Sequence, residues 1–329
     1  MNSRLCTTLG VFGVSVVLAA GTVLAADHTD VPQNAAGATV ARPDAQVTDF
    51  YSFVAGNKLV MILNVNPSLP FAGVPAPPQG SYEFPTDVVY RLFVDNHSEI
   101  LHDDPVRDAE FGGEVADPSA IGEDVVFEVT FAPNGNKAQL AVIGASSSGV
   151  RVFTGKRAES FIFSPFVRNN VASIVVEAPL SSVVAGQPEL VTWGTASVEL
   201  PEGPFTELGG RALYSQSFPA LNALHPSQHD ANGFIPDVVI IDTSAPTLFP
   251  NGRALADDVV TIADDFTLLG GADASVGELE ADLCTAGAPT FPCPVPVSAT
   301  ADDVEIKGNY PYMGAPHGQG QLPEYLQGN

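Results

Sequence analysis

The sequence predicts a mainly β protein, an antiparallel β-sandwich with long loops and a few short helices. Short segments rich in β-branched, aromatic and aliphatic residues recur along the chain, and turn residues separate them. Helical patterns are few and short, so the alternation of strands and helices that marks a βαβ protein is missing. Hydrophobic residues make up 45% of the chain, which argues against disorder and for a packed core.

Two pairs of predicted strands are joined by turn residues. Residues 47–54 and 58–64 flank Ala55-Gly56-Asn57, and residues 124–133 and 137–144 flank Asn134-Gly135-Asn136. Gly and Asn between two strand-like runs are typical of β-hairpins, because these residues tolerate the left-handed backbone of tight turns. Each pair is therefore predicted to form a hairpin.

The remaining elements follow from the same composition rules. Further strands are predicted at 87–95, 150–153, 160–163, 172–178 and 190–200, and short helices at 179–184, 254–263 and 275–283. Prolines fill the segment 67–85, which is therefore predicted to be a loop. After about residue 205 the pattern becomes irregular, so residues 205–329 form either a second lobe or long loops on the same sandwich.

The first 26 residues have the pattern of a secretory signal peptide. Arg4 precedes an apolar run, and small residues lead to Ala25 and Ala26. This pattern predicts cleavage after Ala25 or Ala26, leaving residues 27–329 as a single exported domain, periplasmic or extracellular. No later apolar run approaches the length of about 18 residues that spans a membrane, so no membrane insertion is expected after cleavage.

The chain is strongly acidic, with a formal net charge of −25. It repels phosphate backbones, so nucleic acid is not an expected partner. The acidity has two explanations that remain open. One is solubility outside the cell, and the other is binding of a hard divalent cation such as calcium by carboxylate oxygens.

Two cysteines remain once Cys6 is removed with the signal peptide. Cys284 and Cys293 flank a short loop that contains Pro and Gly. In an oxidising compartment this spacing predicts a local disulfide between Cys284 and Cys293.

Two acidic segments with histidine are candidate metal sites. His28 and Asp30 begin the mature chain, and Asp95 and His97 follow a predicted strand. Carboxylates and imidazoles at close spacing suit calcium or a transition metal. A mobile terminus explains the first segment equally, and a solvated acidic loop explains the second. His225 and His229 lie four residues apart, but Pro226 and the nearby Asn232-Gly233 favour a polar turn over a helical metal pair.

The order of several motifs is more specific than any one of them. The series is Asp27-His28-x-Asp30, Thr48-Asp49-Phe50-Tyr51, Tyr90-Arg91-Leu92-Phe93, Gly155-Lys156-Arg157, Phe218-Pro219-Ala220, Asn251-Gly252-Arg253-x-Leu255-x-Asp257-Asp258 and Tyr310-Pro311-Tyr312-Met313-Gly314. This series resembles the DUF4331 family of exported bacterial proteins, whose function is unassigned. The resemblance spans nearly the whole mature chain and implies one integrated unit. Within its motifs Asp49, Arg253, Asp257 and Asp258 are candidate ligand-binding residues, although structural roles explain them as well.

Three function classes follow from these observations. The leading hypothesis is a secreted, non-enzymatic binding or structural protein, with calcium as a candidate stabilising ion, because no complete catalytic constellation is present. The alternative is a metal-dependent periplasmic or extracellular enzyme, a hydrolase or oxidoreductase, that uses His28, Asp30 and Asp49. A carbohydrate-binding module is the third, but it needs exposed aromatic platforms. Trp193, the single tryptophan, lies in a strand-like run and is predicted to pack in the core.

Overall fold

Two antiparallel sheets pack face to face around one hydrophobic core. The computed structural model describes residues 43–65, 84–133, 137–158, 170–200, 203–211, 221–222, 224–257 and 306–316. The first sheet has four strands in the order β1-β2-β9-β8, and the second has six. In the second sheet the order is β11-β10-β3-β6-β7, and β12 also pairs with β10. The predicted mainly β antiparallel sandwich is confirmed.

The elements have the following bounds. The strands are β1 Val47–Ala55, β2 Lys58–Val65, β3 Val88–Asp95, β4 Ile100–Leu101, β5 Glu114–Val115, β6 Val125–Phe131, β7 Ala138–Ile143, β8 Arg151–Ala158, β9 Asn170–Pro179, β10 Glu189–Leu200, β11 Gly203–Gly209 and β12 Val239–Asp242. The α-helices are α1 Pro105–Phe111 and α2 Leu180–Val183, and short 3-10 turns lie at Pro43–Ala45, Pro118–Ala120, Pro226–Gln228 and Asp230–Asn232.

Both predicted hairpins form. In the first, Ala55 pairs with Lys58 and the two-residue turn between them places Gly56 at a φ of 63°. A positive φ costs a glycine little, which explains the Gly-Asn turn at this position. In the second, β6 pairs with β7 from Val126–Ile143 to Phe131–Ala138. The predicted turn at 134–136 lies outside the described residues, as do the predicted strand at 160–163 and helix at 275–283.

The inner faces of the two sheets form the main core. Leu63 and Ile174 of the first sheet and Leu92 and Phe127 of the second belong to this cluster and are fully buried. Two glycines, Gly194 of β10 and Gly209 of β11, are paired across the second sheet where it meets the first. A Cβ atom on Gly209 would lie 2.7 Å from Val47 Cγ1, so the lack of a side chain lets β1 approach this closely.

The outer faces of both sheets are also covered, which makes several strands hydrophobic on both sides. Outside the six-stranded sheet, Phe93, Val126 and Trp193 pack with residues of the loops, including Ile100, Val115, Ile121 and Val238. Outside the four-stranded sheet, Tyr51 and Ile62 pack with Leu255, Tyr312 and Met313. The described parts of the irregular C-terminal region therefore pair with and pack on the sandwich.

The structure also contains elements that the sequence patterns did not predict. Helix α1 is capped by the Asp104 carboxylate, which accepts hydrogen bonds from Val106 N and Arg107 N, and it ends at a left-handed Gly112. Strands β11 and β12 lie in the region that looked irregular. The predicted helix at 254–263 is described only as far as Asp257, and there the chain makes a turn closed by Asp257 N donating to Ala254 O. No helix among the described residues is long and apolar enough to cross a membrane.

Truncation of a core ring between the sheets tests the sandwich. Phe127→Ala is expected to lower the free energy of unfolding by roughly 3–5 kcal/mol, because Phe127 is fully buried and the removed ring leaves a cavity. Urea unfolding followed by circular dichroism measures the change.

The matched control is Ile143→Ala in the adjacent strand β7, where the side chain is 54% exposed. It is expected to cost less than about 1 kcal/mol. Equal losses for the two variants would contradict the assignment of Phe127 to the core.

Candidate functional site

A buried contact between two distant motifs lies on the outer face of the four-stranded sheet. The Arg253 guanidinium donates from Nη2 to Asp49 Oδ1 at 2.5 Å and from Nη1 to the Phe50 carbonyl at 3.0 Å. Both side chains of this pair are only 3% exposed. The guanidinium carbon also lies 4.3 Å from the centre of the Tyr51 ring. The pair thus joins two polar residues singled out from the sequence, at positions 204 residues apart.

The backbone around Arg253 is shaped to reach this position. Ser52 and Arg253 form an antiparallel bridge, with Ser52 N donating to Arg253 O at 3.0 Å and Arg253 N donating to Ser52 O at 2.7 Å. Gly252 N donates to Ile240 O, so the segment connects β1 to β12. Gly252 has a φ of +74°, and a Cβ atom there would lie 2.7 Å from Ser52 O. Only glycine fits this passage without strain.

Asn251 holds the turn that precedes this passage. Its Oδ1 accepts a hydrogen bond from Asp242 N at 2.6 Å, and its Nδ2 donates to the carbonyls of Asp242 and Pro246. A short amide side chain is suited to satisfying backbone groups of both signs in a turn. The Asn-Gly-Arg motif is thereby explained residue by residue as a device that joins β12 to the edge of β1.

Burial dominates the electrostatics of Asp49. Loss of water around the carboxylate raises its pKa to about 6, although Arg253 acts in the opposite direction through its charge and its hydrogen bond. A carboxylate and a guanidinium that are this buried, and that are bonded to each other, are withdrawn from solvent. The arrangement can cross-link the fold.

Asp257 serves the turn after Arg253 and does not pair with it. Its Oδ2 accepts a hydrogen bond from Ala254 N at 2.7 Å, which closes the turn at 254–257. Burial raises the pKa of Asp257. Asp257, a candidate ligand-binding residue in the sequence, therefore caps a turn. Asp258 lies outside the described residues.

The last motif packs on the same sheet face. Tyr312 Oη donates to Glu177 Oε2 at 2.7 Å, and its ring meets Phe53 edge to face at 5.4 Å between centroids. Glu177 Oε1 also accepts from Arg151 Nε and Nη2. Burial and the Glu177 carboxylate raise the pKa of Tyr312. Segments 251–257 and 306–316 thus cover the outer face of the four-stranded sheet together.

The candidate metal residues Asp95 and His97 lie at the end of β3. The buried Asp95 carboxylate accepts four hydrogen bonds, from His97 N, from Ser98 N and Oγ, and from Gly122 N. His97 is exposed and its Nδ1 lies 2.9 Å from Asp124 Oδ2, and this hydrogen bond raises the pKa of His97. These bonds tie the end of β3 to the loop that precedes β6, so Asp95 has a structural role.

The two histidines of the 225–229 segment take separate structural roles. His225 caps the turn Pro226–Gln228, where its Nδ1 accepts from Ser227 N. His229 is fully buried; its Nδ1 accepts from Asp237 N at 3.0 Å and its Nε2 lies 3.3 Å from Leu224 O. Burial lowers the pKa of both histidines. The predicted polar turn is confirmed.

Several predicted site residues lie outside the described part of the chain. These are His28, Asp30, Asp258, Cys284 and Cys293. The predictions of an N-terminal metal site and of a disulfide therefore stay predictions. Within the described residues, no three His, Cys, Asp or Glu side chains are grouped so as to hold a metal ion.

A pocket of about 450 Å³ lies on the outer face of the six-stranded sheet. Strands β3, β10 and β11 form its floor, and Glu123, Asn222 and residues 224–226 form its walls. Its lining residues are Arg91, Phe93, Glu123, Trp193, Thr195, Ser197, Thr206, Leu208, Asn222, Leu224, His225 and Pro226. The alternation of Trp193, Thr195 and Ser197 with inner-face residues was the only sign of this pocket in the sequence of β10.

The hydroxyl groups of the pocket differ in how they are satisfied. Ser197 Oγ and Thr206 Oγ1 lie 3.0 Å apart and bond to each other across β10 and β11. Thr195 lies between Trp193 and Ser197, is 8% exposed, and its hydroxyl has no hydrogen-bond partner among the described residues. The Thr195 hydroxyl is accessible at the pocket floor, where it can bond to a water molecule or to a ligand.

The charged side chains around the pocket each lie near a partner. Arg91 Nε donates to Glu128 Oε2 at 2.9 Å on the neighbouring strand β6. Glu123 Oε1 lies 3.7 Å from His225 Nε2, and the His225 ring meets the Trp193 ring edge to face. Burial lowers the pKa of His225, so the neutral imidazole prevails at pH 7.

Removal of the buried arginine tests its structural role. Arg253→Met is expected to lower the free energy of unfolding at pH 7 by roughly 3–5 kcal/mol, because it leaves the Asp49 carboxylate buried without its cation. Arg91→Met is the matched control, since the Arg91 and Glu128 side chains are 32% and 30% exposed and such pairs contribute about 0–1 kcal/mol. A cost for Arg253→Met no greater than for Arg91→Met would contradict the role.

The pKa of Asp49 also predicts a pH dependence. A carboxyl whose pKa rises from 3.8 to about 6 on folding stabilises the fold fully below pH 3.8, and this contribution is lost as the pH rises through 6. Between pH 4 and pH 7 the wild type is expected to lose on the order of 3 kcal/mol relative to Asp49→Asn, which has no carboxyl to ionise. Urea unfolding of both proteins across this range measures the difference. Parallel pH profiles would contradict the raised pKa.

Comparison with known proteins assigns no family to the chain. No protein-family model matches the sequence, and no curated protein matches it. The resemblance to the DUF4331 family stays a prediction, and the function has to be inferred from the residues of the chain itself.

Proposed function

We propose that this protein is an exported, non-enzymatic binding protein that holds a small molecule in the pocket on its six-stranded sheet. The observation that carries the proposal is the set of hydroxyl side chains, Thr195, Ser197 and Thr206, that line one pocket on paired strands. The pocket volume of about 450 Å³ falls within the range of roughly 300–1,000 Å³ that small-molecule sites occupy. Export is inferred from the signal-like pattern of residues 1–26.

The pocket is built on a rigid part of the fold. Its floor residues Arg91, Thr195 and Leu208 are cross-strand neighbours on β3, β10 and β11. Strand β10 pairs with β3 on one side and with β11 and β12 on the other. Side chains on paired central strands lose little further freedom when a ligand binds, which favours affinity.

The side chains of the pocket suit recognition better than catalysis. An activated nucleophile needs a base within hydrogen-bond reach. Ser197 and Thr206 bond to each other, and the described residues offer Thr195 no such base. The Trp193 and Phe93 rings, stacked at 5.0 Å between centroids, lie at the pocket but are only 1% and 4% exposed, so they support its floor and present little surface to a ligand.

The candidate ligand-binding residues predicted from the sequence also favour a binding role for the pocket, because they are used elsewhere in the fold. Asp49 and Arg253 bind each other in the interior, and Asp257 closes a turn. Their arrangement accounts for these residues as parts of the scaffold. The pocket lies on the other sheet and presents its side chains to the outside.

A fluorescence screen tests the proposal, because Trp193 is the only tryptophan of the chain and lines the pocket. A set of neutral, anionic and cationic small metabolites is added, one at a time, to the full-length mature protein. Tryptophan emission and the melting temperature are recorded. At least one compound is expected to change both in a saturable way. Ser197→Phe is expected to abolish the response by filling the pocket.

Gln139→Phe is the matched control, since it adds the same ring at an exposed position of strand β7 in the same sheet. Circular dichroism confirms that both variants fold, and Thr206→Phe replaces Ser197→Phe if the latter does not. The proposal is overturned if no compound in the screen changes the emission, or if the pocket-filling variant responds like the control.

A further inference from the structure

The charges that face the pocket leave no net charge for an ion to meet. The two charged side chains that line it are Arg91 and Glu123, which have opposite signs. An anionic ligand would approach a chain whose formal net charge is −25, which opposes its binding. A cationic ligand would meet Arg91 on the pocket floor. An uncharged ligand avoids both costs.

The hydroxyl groups lie in a compact set on two neighbouring strands. Ser197 is directly opposite Thr206, and Thr195 is two residues from Ser197 on the same face of β10. Each hydroxyl can donate one hydrogen bond and accept others. One of the two hydroxyl protons of Ser197 and Thr206 is used in the hydrogen bond between them, and the other can be donated to a ligand. The Thr195 hydroxyl can both donate and accept a hydrogen bond. Such groups match ligand hydroxyls, which also donate and accept.

Aromatic rings stand directly beside this hydroxyl set. Phe93 and Trp193 are paired across β3 and β10, one row from Arg91 and Thr195, and the His225 ring meets Trp193 edge to face at 5.5 Å. Of these rings His225 is the accessible one, with its side chain 32% exposed, so a ligand in contact with both regions needs hydroxyl groups on one side and C–H groups on the other. Sugars and related polyols have this two-sided character.

From this juxtaposition we propose that the pocket binds a neutral sugar or polyol. The proposal rests on the function proposed above and specifies its ligand class. Recognition occurs inside a pocket, so it does not need the exposed aromatic platform that carbohydrate-binding modules present. Trp193, which is 1% exposed, supports the floor of the cavity.

A charge-matched panel of hexose derivatives tests the ligand class. Glucose and maltose are the neutral probes, gluconate is the anionic probe and glucosamine is the cationic probe, each titrated against Trp193 emission of the full-length mature protein. The neutral probes are expected to bind, and the charged probes are expected to bind at least about tenfold more weakly. Thr195→Val is expected to weaken binding of the neutral probes by about three- to tenfold, the effect of one lost hydrogen bond.

Thr130→Val is the matched control, because Thr130 lies on strand β6 of the same sheet and does not line the pocket. It is expected to bind the neutral probes like the wild type. The ligand class is overturned if gluconate or glucosamine binds more tightly than glucose and maltose, or if the neutral probes fail to bind. In both cases the proposed small-molecule binding is still supported if another compound in the metabolite screen gives a response that Ser197→Phe removes. Neutral-probe binding that Thr195→Val leaves unchanged would overturn the placement of the ligand on the hydroxyl set.

Discussion

The fold depends on a charge pair whose two side chains are almost completely buried. Arg253 reaches across 204 positions of sequence to bind Asp49 and the Phe50 carbonyl, and it does so inside the protein. Burying two charges is costly unless geometry and extra hydrogen bonds compensate, and here a carbonyl and the Tyr51 ring add to the carboxylate. The pair fixes segment 251–255 on strand β1 and thereby shields an edge that would otherwise offer unpaired backbone groups. Val54 N donates to Thr247 Oγ1 further along the same edge.

The four-stranded sheet serves as scaffold, and the six-stranded sheet carries the proposed binding pocket. The outer face of the four-stranded sheet is covered by aromatic and aliphatic residues, among them Leu255, Tyr312 and Met313. The outer face of the six-stranded sheet is covered only in part, so Thr195 and Ser197 line a cavity there. The physical reason lies in the alternation of β10, whose inner residues Gly194, Ala196 and Val198 leave the next residues to face outward. A flat sheet face that is partly roofed by loops becomes a pocket.

Much of the fold could be predicted because local sequence determines strands and tight turns. The hairpin at Gly56 and the long strand β10 follow from composition and turn chemistry alone. Strand β11 was not predicted, because Gly203 and Pro204 argue against a strand. An edge strand, however, tolerates a proline. Helix α1 has only seven residues, too few for a clear helical period, although Asp104-Pro105 at its start and Gly112 at its end are helix boundary signals.

The candidate site was harder to predict, for a different reason. Asp49 and Arg253 could be named from their motifs, but no local pattern reveals which partner a charged residue will find 204 positions away. The pocket depends on Glu123, Asn222 and residues 224–226, which meet β10 only after folding. Its hydroxyls looked like the ordinary polar side of a strand. Sequence periodicity identifies which residues of a strand share one face of the sheet. It does not identify which loops cover that face.

The position of Arg253 also sets an order of events for the growing chain. Synthesis starts at the N terminus, so β1 and β2 can pair as a hairpin long before residue 253 exists. Until then the outer edge of β1 is open to any other extended polypeptide, including a second nascent copy. The closing segment arrives about two hundred residues later, as the 204-residue separation requires. Protection of the β1 edge therefore depends on a contact between residues that are far apart in the sequence.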